Sequence, residues 1–264
     1  MSTAAVLVTH DSEPFVAATL ASVLRQTQVP DVIVIIDDAS SDATLAVVQS
    51  ATAAADVPVI VQASTTQAGD VLTRIAQNFM QGVRVAQEQG AGVVVLGDHD
   101  DLWHESRVEH QVHVLAQHPQ AGLVASDGRL LREGDPVDAT LRDTFPVPAA
   151  FNDWRASQQF GYTVRHSVAT GGACAIRPQG FQHFDVPSGW LHDRWWSLAA
   201  AAHHALVIDT AMVIDYRIST GQQVGLDAAA QDGGLGGRAG HFARNLPRSM
   251  KRSIDLVPLF MASR

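Results

Sequence analysis

Four short, β-branched apolar runs, residues 4–8, 32–36, 57–61 and 93–96, alternate with stretches of helical spacing, and this alternation restricts the fold more than any other feature. Val16, Leu20, Val23 and Leu24 follow the first run, and Leu72, Ile75, Phe79 and Val83 lie within residues 69–89. Parallel neighbours in a sheet need crossover connections, usually helices, so the pattern predicts an α/β fold with a Rossmann-like, doubly wound, mostly parallel sheet. Ser12 and Pro14 mark a helix start, with Ser as the cap. Further on, residues 104–117 read as a helix through Val108, Val112 and Leu115, and 122–126 as a strand. Residues 127–165 read as loop-rich, 168–176 as a strand, 192–204 as a helix, and 206–216 as one strand or two.

The second and fourth runs end in acids: Asp37-Asp38, and Asp98-His99-Asp100-Asp101. In a doubly wound sheet both ends lie on the carboxyl edge, where such folds take their ligands. Carboxylates this close repel one another, and a hard divalent cation bridging to a phosphate would offset the cost. The other reading of the same residues is a solvated acidic loop that caps the next helix, and Asp37 to Asp42 could equally be a capping turn. No glycine occurs in Thr9-His10-Asp11-Ser12-Glu13-Pro14, against both dinucleotide-binding and P-loop motifs. Lys251 is the only lysine, so a phosphate site in the body of this chain has to lean on a metal.

His192-Asp193-Arg194-Trp195-Trp196 opens the 192–204 helix. Asp193 is either an acid favoured by the helix dipole or a general base for an acceptor hydroxyl. The tryptophans either stack on sugar faces or fill the core. The twelve histidines form no zinc-ligand spacing, and Cys174 reads as a buried thiol rather than a nucleophile.

At 46% hydrophobic and 17% charged residues the chain can bury a real core. A net charge of -9 argues against nucleic-acid partners. A single cysteine and an N-terminus without a basic n-region point to a cytoplasmic, reducing setting. Residues 227–240 are rich in Gly, Ala and Asp and read as a linker. From Arg238 onward six Lys/Arg face one Asp, a net +5, which reads either as peripheral contact with an anionic membrane at its inner face or as a solvated or oligomer-packing tail.

Taken in order, these pieces resemble the family 2 glycosyltransferases of GT-A fold over about residues 4 to 226. Val6-Leu7-Val8-Thr9-His10-Asp11 is similar to the family's opening strand and Thr-Tyr-Asn turn. Asp37-Asp38-Ala39-Ser40-Ser41-Asp42 is close to Asp-Asp-Gly-Ser-Thr-Asp, and Asp98-His99-Asp100-Asp101-Leu102-Trp103 to Asp-x-Asp-Asp-x-Trp. Asn78-Phe79, Gly171-Gly172 and His192-Asp193-x-Trp195 match further positions. Tyr216-Arg217 with Gly221-Gln222-Gln223-Val224-Gly225 resembles the ending of rhamnosyltransferase-like members, although the His expected near Ser219 is absent. The resemblance implies one domain over residues 1–226, with a nucleotide-sugar half (1–103) and an acceptor half (104–226), followed by the linker and basic tail of 227–264.

It further implies an inverting, metal-dependent transferase that moves a sugar from dTDP-rhamnose or a UDP-sugar to a saccharide or lipid-linked acceptor. Thr9, Asp38, Asn78 and Asp98 would hold the nucleotide, with Asp98 on the ribose. Asp100 would bind Mg2+ or Mn2+ on the diphosphate. Asp193 would be the catalytic base, with Gly172, His192 and Trp195 on the acceptor side. Two other readings stand beside it: a sugar nucleotidyltransferase, disfavoured by the acidic, glycine-free first loop, and a non-catalytic carbohydrate- or nucleotide-binding protein.

Overall fold

The computed structural model describes residues 1–132, 134–218 and 252–264. The predicted 227–240 linker, Ser219, Gly221 to Gly225 and Lys251 lie outside them. The first half is a β/α alternation: β1 (Thr3–Thr9), α1 (Val16–Leu24), β2 (Val32–Asp37), α2 (Thr44–Thr52), β3 (Val59–Ala63), α3 (Val71–Glu88) and β4 (Val93–Asp98). There follow β5 (Leu102–Trp103), α4 (Arg107–Gln117), β6 (Leu123–Arg132), β7 (Asp135–Thr140), α5 (Leu141–Thr144) and α6 (Ala156–Arg165). The last elements are β8 (Cys174–Ile176), α7 (His192–Ala202), β9 (Leu206–Ile218) and α8 (Val257–Ala262).

These strands form one sheet in the order β3-β2-β1-β4-β8-β6-β9-β5, with β7 paired to β6. β1, β2, β3 and β4 are mutually parallel, as are β6 and β9, whereas β8 runs antiparallel to both β4 and β6. The sheet is therefore mixed but mostly parallel, with one reversed strand joining its two halves. Side chains alternate across each strand, so each strand feeds two cores. Val6, Val34 and Leu96 pack with Phe79, Val83, Trp196 and Leu198 on one face. Leu7, Ile33 and Val95 pack with Leu20, Val48, Val108 and Leu115 on the other.

Several expectations shift. The third strand lies two residues beyond the predicted 57–61, and α4 starts at Arg107 rather than at 104. Ser12 does not cap α1 with its side chain. Its carbonyl accepts the N–H groups of Phe15 and Val16, while its hydroxyl accepts the His10 N–H. Residues 127–165 hold the end of β6, β7 and two helices rather than loop alone. Of 168–176 only Cys174–Ile176 is strand, because Gly171–Ala173 turns as a 3-10 helix.

Candidate active site

Parallel pairing of β1 with β2 and β4 brings Thr9, Asp37 and Asp98 to one edge. Asp37 ties that edge together. Its carboxylate accepts from the Thr9 hydroxyl at 2.9 Å and from the Ser40 hydroxyl and N–H at 2.6 and 3.0 Å. Thr9, expected at the nucleotide, is fully buried with its hydroxyl spent on Asp37, so it supports the turn from beneath. The turn holds Ala39, a residue with a Cβ, in the left-handed region at φ 55. Asp38 sits on the outer side. Its N–H donates to Thr9 O, and its carboxylate pairs with Arg74 Nε at 2.8 Å. Asn78, one turn further along α3, is fully buried. It accepts from the Ser64 hydroxyl, and its Nδ2 has no hydrogen-bond partner. It thus braces the segment after β3, whose Ser64 N–H binds Asp37 O.

At the end of β4 three carboxylates converge. Burial, then Asp100, then Asp193 push Asp98 up to about 7, against Arg107 and the Gly172 N–H. Burial and the charges of Asp100 and Asp98 likewise raise Asp101 well above the usual carboxylate range. Asp101 accepts the Arg217 N–H on Oδ1, while its Oδ2 is buried without a hydrogen-bond partner. Arg217 Nε donates to Asp100 O. Tyr216 reports the same convergence: burial and then Asp101, Asp98, Asp100 and Asp193 all disfavour its phenolate. Four carboxylates therefore act on one phenol.

A fully buried cation sits behind them. Arg107 Nη2 donates to Leu96 O at 2.6 Å, and the guanidinium lies 3.9 Å from the Trp103 ring centroid. Burial pushes it down to about 9, which leaves it cationic at neutral pH, and Asp101 and Asp98 oppose that fall. A guanidinium held this way lowers the cost of gathering acids at the strand end.

The Gly171–Ala173 turn joins this acidic end to α7. The Gly171 N–H donates to Asp193 Oδ2 at 3.1 Å, and Asp193 Oδ1 accepts the Arg194 N–H at 2.6 Å. The next residue, Gly172, lies against the other group. A Cβ on Gly172 would stand 2.6 Å from Asp101 Oδ2 and 2.8 Å from Asp98 Oδ2. Gly172 was expected on the acceptor side; it also packs against the carboxylates of β4. The structure thus groups Asp98, Asp100, Asp101, Asp193 and Gly172, with Asp38 and Arg74 at the end of β2, beyond β1.

His192 and Trp195, also expected beside the acceptor, lie deeper. Trp195 is buried and its Nε1 donates to His183 O at 2.8 Å, so its ring packs the core. His192 stacks on Phe79 at 3.9 Å, and neither ring nitrogen has a partner. Its Nε2 would meet a Cβ on Gly171 at 2.4 Å, so it sets the turn from below. Burial pushes His192 down to about 4, with Asp193 pulling the other way. The unfolded chain therefore protonates first, and the neutral ring's contribution is complete above about pH 6.5 and lost as pH falls through about 4. Urea unfolding at pH 7 and pH 4.5 should show wild type losing roughly 2–3 kcal/mol more than His192→Phe, which keeps the stack. Equal losses would contradict the buried neutral imidazole.

All the donors gathered at the β4 end are hard oxygens, one of them an unpartnered buried carboxylate oxygen, and this suits Mg2+ or Mn2+. Among the described residues no three His, Cys, Asp or Glu surround a cation position. A cation held by one or two carboxylates and completed by substrate phosphates needs no such cage. Asp100, expected from the resemblance as the metal ligand, could hold it, and the resemblance puts Asp98 on the ribose.

Arg74 and Arg107 were not anticipated from the sequence. Arg74 lies four residues before Asn78 on one face of α3, and Arg107 four before buried Gln111 on α4, so helical spacing carried the signal for both.

The comparisons agree with this geometry. The model of "Glycosyl transferase family 2" matches residues 4–184. No curated protein sequence matches the chain. Among solved structures, S. aureus TarS 1-349 in complex with UDP-GlcNAc superposes with a TM-score of 0.59 at 15% identity, covering 84% of this chain and 60% of that one. The mannosyltransferase PcManGT from Pyrobaculum calidifontis, in complex with GDP-Man and Mn2+, gives 0.61 at 17% identity, covering 98% and 68%. Glucosyl-3-phosphoglycerate synthase from Mycobacterium tuberculosis, in complex with Mn2+, UDP and glucosyl-3-phosphoglycerate, gives 0.53 at 13%, covering 87% and 75%. This chain thus spans about three fifths of the TarS structure. The fold is GT-A, and the match over more than half its length shows that the chain belongs to glycosyl transferase family 2.

Proposed function

We propose that the chain is an inverting transferase that moves a sugar from a nucleoside diphosphate sugar to a hydroxyl of a saccharide or lipid-linked acceptor. The observation that carries this reading is the Gly171–Ala173 turn, whose Gly171 N–H holds Asp193 while Gly172 lies tight against the carboxylates of Asp98 and Asp101. Asp38, with Arg74 beside it, takes the base; Asp98 takes the ribose; Asp100 would hold Mg2+ or Mn2+. When bound, that cation neutralises charge on the departing diphosphate. Asp193 accepts the proton of the acceptor hydroxyl. The hydroxyl oxygen bonds to the anomeric carbon opposite the diphosphate, and the diphosphate leaves with the electrons of the broken C–O bond. One carboxylate suffices because a diphosphate needs no protonation to leave, whereas glycosidases use two carboxylates flanking the sugar. A dTDP-sugar such as dTDP-rhamnose and UDP-sugars are the donors to try first, with GDP-sugars as the third class.

Ligands that bind only the native state raise its stability. A thermal-shift screen of dTDP-, UDP- and GDP-sugars, with Mn2+ and with EDTA, should give a rise in Tm for one nucleotide class in Mn2+. No rise with any of the three overturns the reading.

A further inference from the structure

We propose that the C-terminal helix docks the protein on an anionic lipid surface, with the acceptor side of the site beside that surface. Ile254, Val257, Phe260 and Met261 are 68%, 52%, 48% and 71% exposed. Large apolar side chains at this exposure are ordinary when scattered, but these four fall within eight residues. Residues 252–255 are helical and α8 follows, so positions 254, 257 and 261 recur on one side. The opposite side is satisfied. Leu259 is fully buried, Ser263 is buried, and α8 packs against α7. Among the described residues, then, this segment has one face in the core and a second apolar face in water.

The charge on this segment selects the occupant. Arg264 lies 4.5 Å from the centroid of the Phe260 ring, at the edge of the apolar face. In sequence, residues 238–264 carry six Lys/Arg against one Asp, whereas the whole chain is net -9. An apolar face edged by Arg264, on a stretch that is basic in sequence, calls for hydrocarbon depth and negative charge in one plane, and anionic phospholipid supplies both. No described helix is long and apolar enough to cross a bilayer, so contact is along the surface.

The anchoring of the segment fixes what lies next to the lipid. Trp190 Nε1 donates to Asp255 at 3.0 Å, and Arg252 Nη2 donates to Gly189 O at 3.0 Å while its guanidinium lies 5.0 Å from the Trp190 ring centroid. Gly189 and Trp190 belong to the segment that leads directly into α7 and Asp193. A surface-docked α8 would hold that segment, and with it the carboxylate proposed as base, near the headgroups. Docking itself does not rest on the transfer reaction.

The test is sedimentation of the full chain with vesicles of phosphatidylcholine alone and of phosphatidylcholine mixed with phosphatidylglycerol. Wild type and a Phe260→Ser/Met261→Ser variant are compared, with Tm and light scattering on both. Both side chains are exposed and Leu259 is untouched, so the variant keeps its fold. Wild type should partition onto the anionic vesicles, only weakly onto phosphatidylcholine, and roughly tenfold more strongly than the variant. Arg264→Glu should weaken anionic binding by about fivefold or more. Equal partitioning of wild type and the double variant overturns the proposal. So does a wild-type dimer that the variant abolishes while neither binds vesicles, which would assign the face to a second copy. Nucleotide affinity measured without lipid is expected to be the same in both proteins, so failure here leaves the donor-binding reading standing.

Discussion

Asp193→Asn should lower sugar transfer by about 10²–10⁴-fold, the usual worth of a general base, while nucleotide diphosphate affinity stays within about threefold of wild type. Asn is close in shape but cannot take up the acceptor proton. The carboxylate accepts two backbone N–H groups, from Gly171 and Arg194, and an amide oxygen replaces only one acceptor position. A stability loss of about 1 kcal/mol is therefore expected and is separable from the rate effect. Under the proposed function the nucleotide goes to other residues, Asp38, Asp98 and Asp100, so donor binding should persist. Steady-state transfer and calorimetric nucleotide binding on both proteins decide it. Transfer within a few-fold of wild type would place the base elsewhere. Asp127 and Asp185 are poor substitutes. Asp127 Oδ1 already accepts the N–H groups of Gly128 and Arg142, and Asp185 is an exposed surface acid paired with Arg84.

Gly172→Ala should damage both fold and donor binding, from one added methyl. The new Cβ would lie 2.6–2.8 Å from oxygens of Asp101 and Asp98, closer than such contacts occur. Asp101 cannot swing away without breaking its bond from the Arg217 N–H. The cost of such overpacking is about 1–3 kcal/mol, and displaced carboxylates should weaken Mn2+-supported nucleotide binding by at least about tenfold. Gly161→Ala is the control. Gly161 lies inside α6 with nothing within 4 Å of its Cβ position, and alanine there should stabilise by about 0.5–1 kcal/mol. Denaturant unfolding with a nucleotide titration checks both. Equal behaviour of the two variants would mean that the turn is not packed against the carboxylates as described.

The parallel half of the fold was legible because β1, β2 and β4 are buried on both faces and so read as continuous apolar runs, as in residues 32–36 and 93–96. Residues 127–165 read as loop for a physical reason. α6 turns Gln159 and Thr163 inward beside Phe160, so apolar periodicity is interrupted on its buried face. β7, Asp135–Thr140, lies at the periphery with largely exposed polar residues and carries no strand pattern. The run 168–176 has strand composition, but the close approach of His192 and of two carboxylates to Gly171 and Gly172 imposes a turn that only the tertiary fold reveals. The acids of the site announced themselves by position at strand ends. Their partners did not: Arg74 and Arg107 are ordinary helix residues until the fold places them against carboxylates. Trp195 is the converse case: composition left a sugar platform and a core position both open, the resemblance put it beside the acceptor, and packing took the ring inside.

The central claim is that this strand-end cluster binds a nucleoside diphosphate through a divalent cation held at Asp100. Calorimetric titration with UDP, dTDP and GDP in turn, on wild type and Asp100→Ala, each with Mn2+ and with EDTA, tests it most directly. One nucleotide should bind wild type in Mn2+, and the other three combinations of protein and medium should lose at least about tenfold in affinity. Equal affinity in all four, or no binding of any of the three nucleotides, would contradict the account.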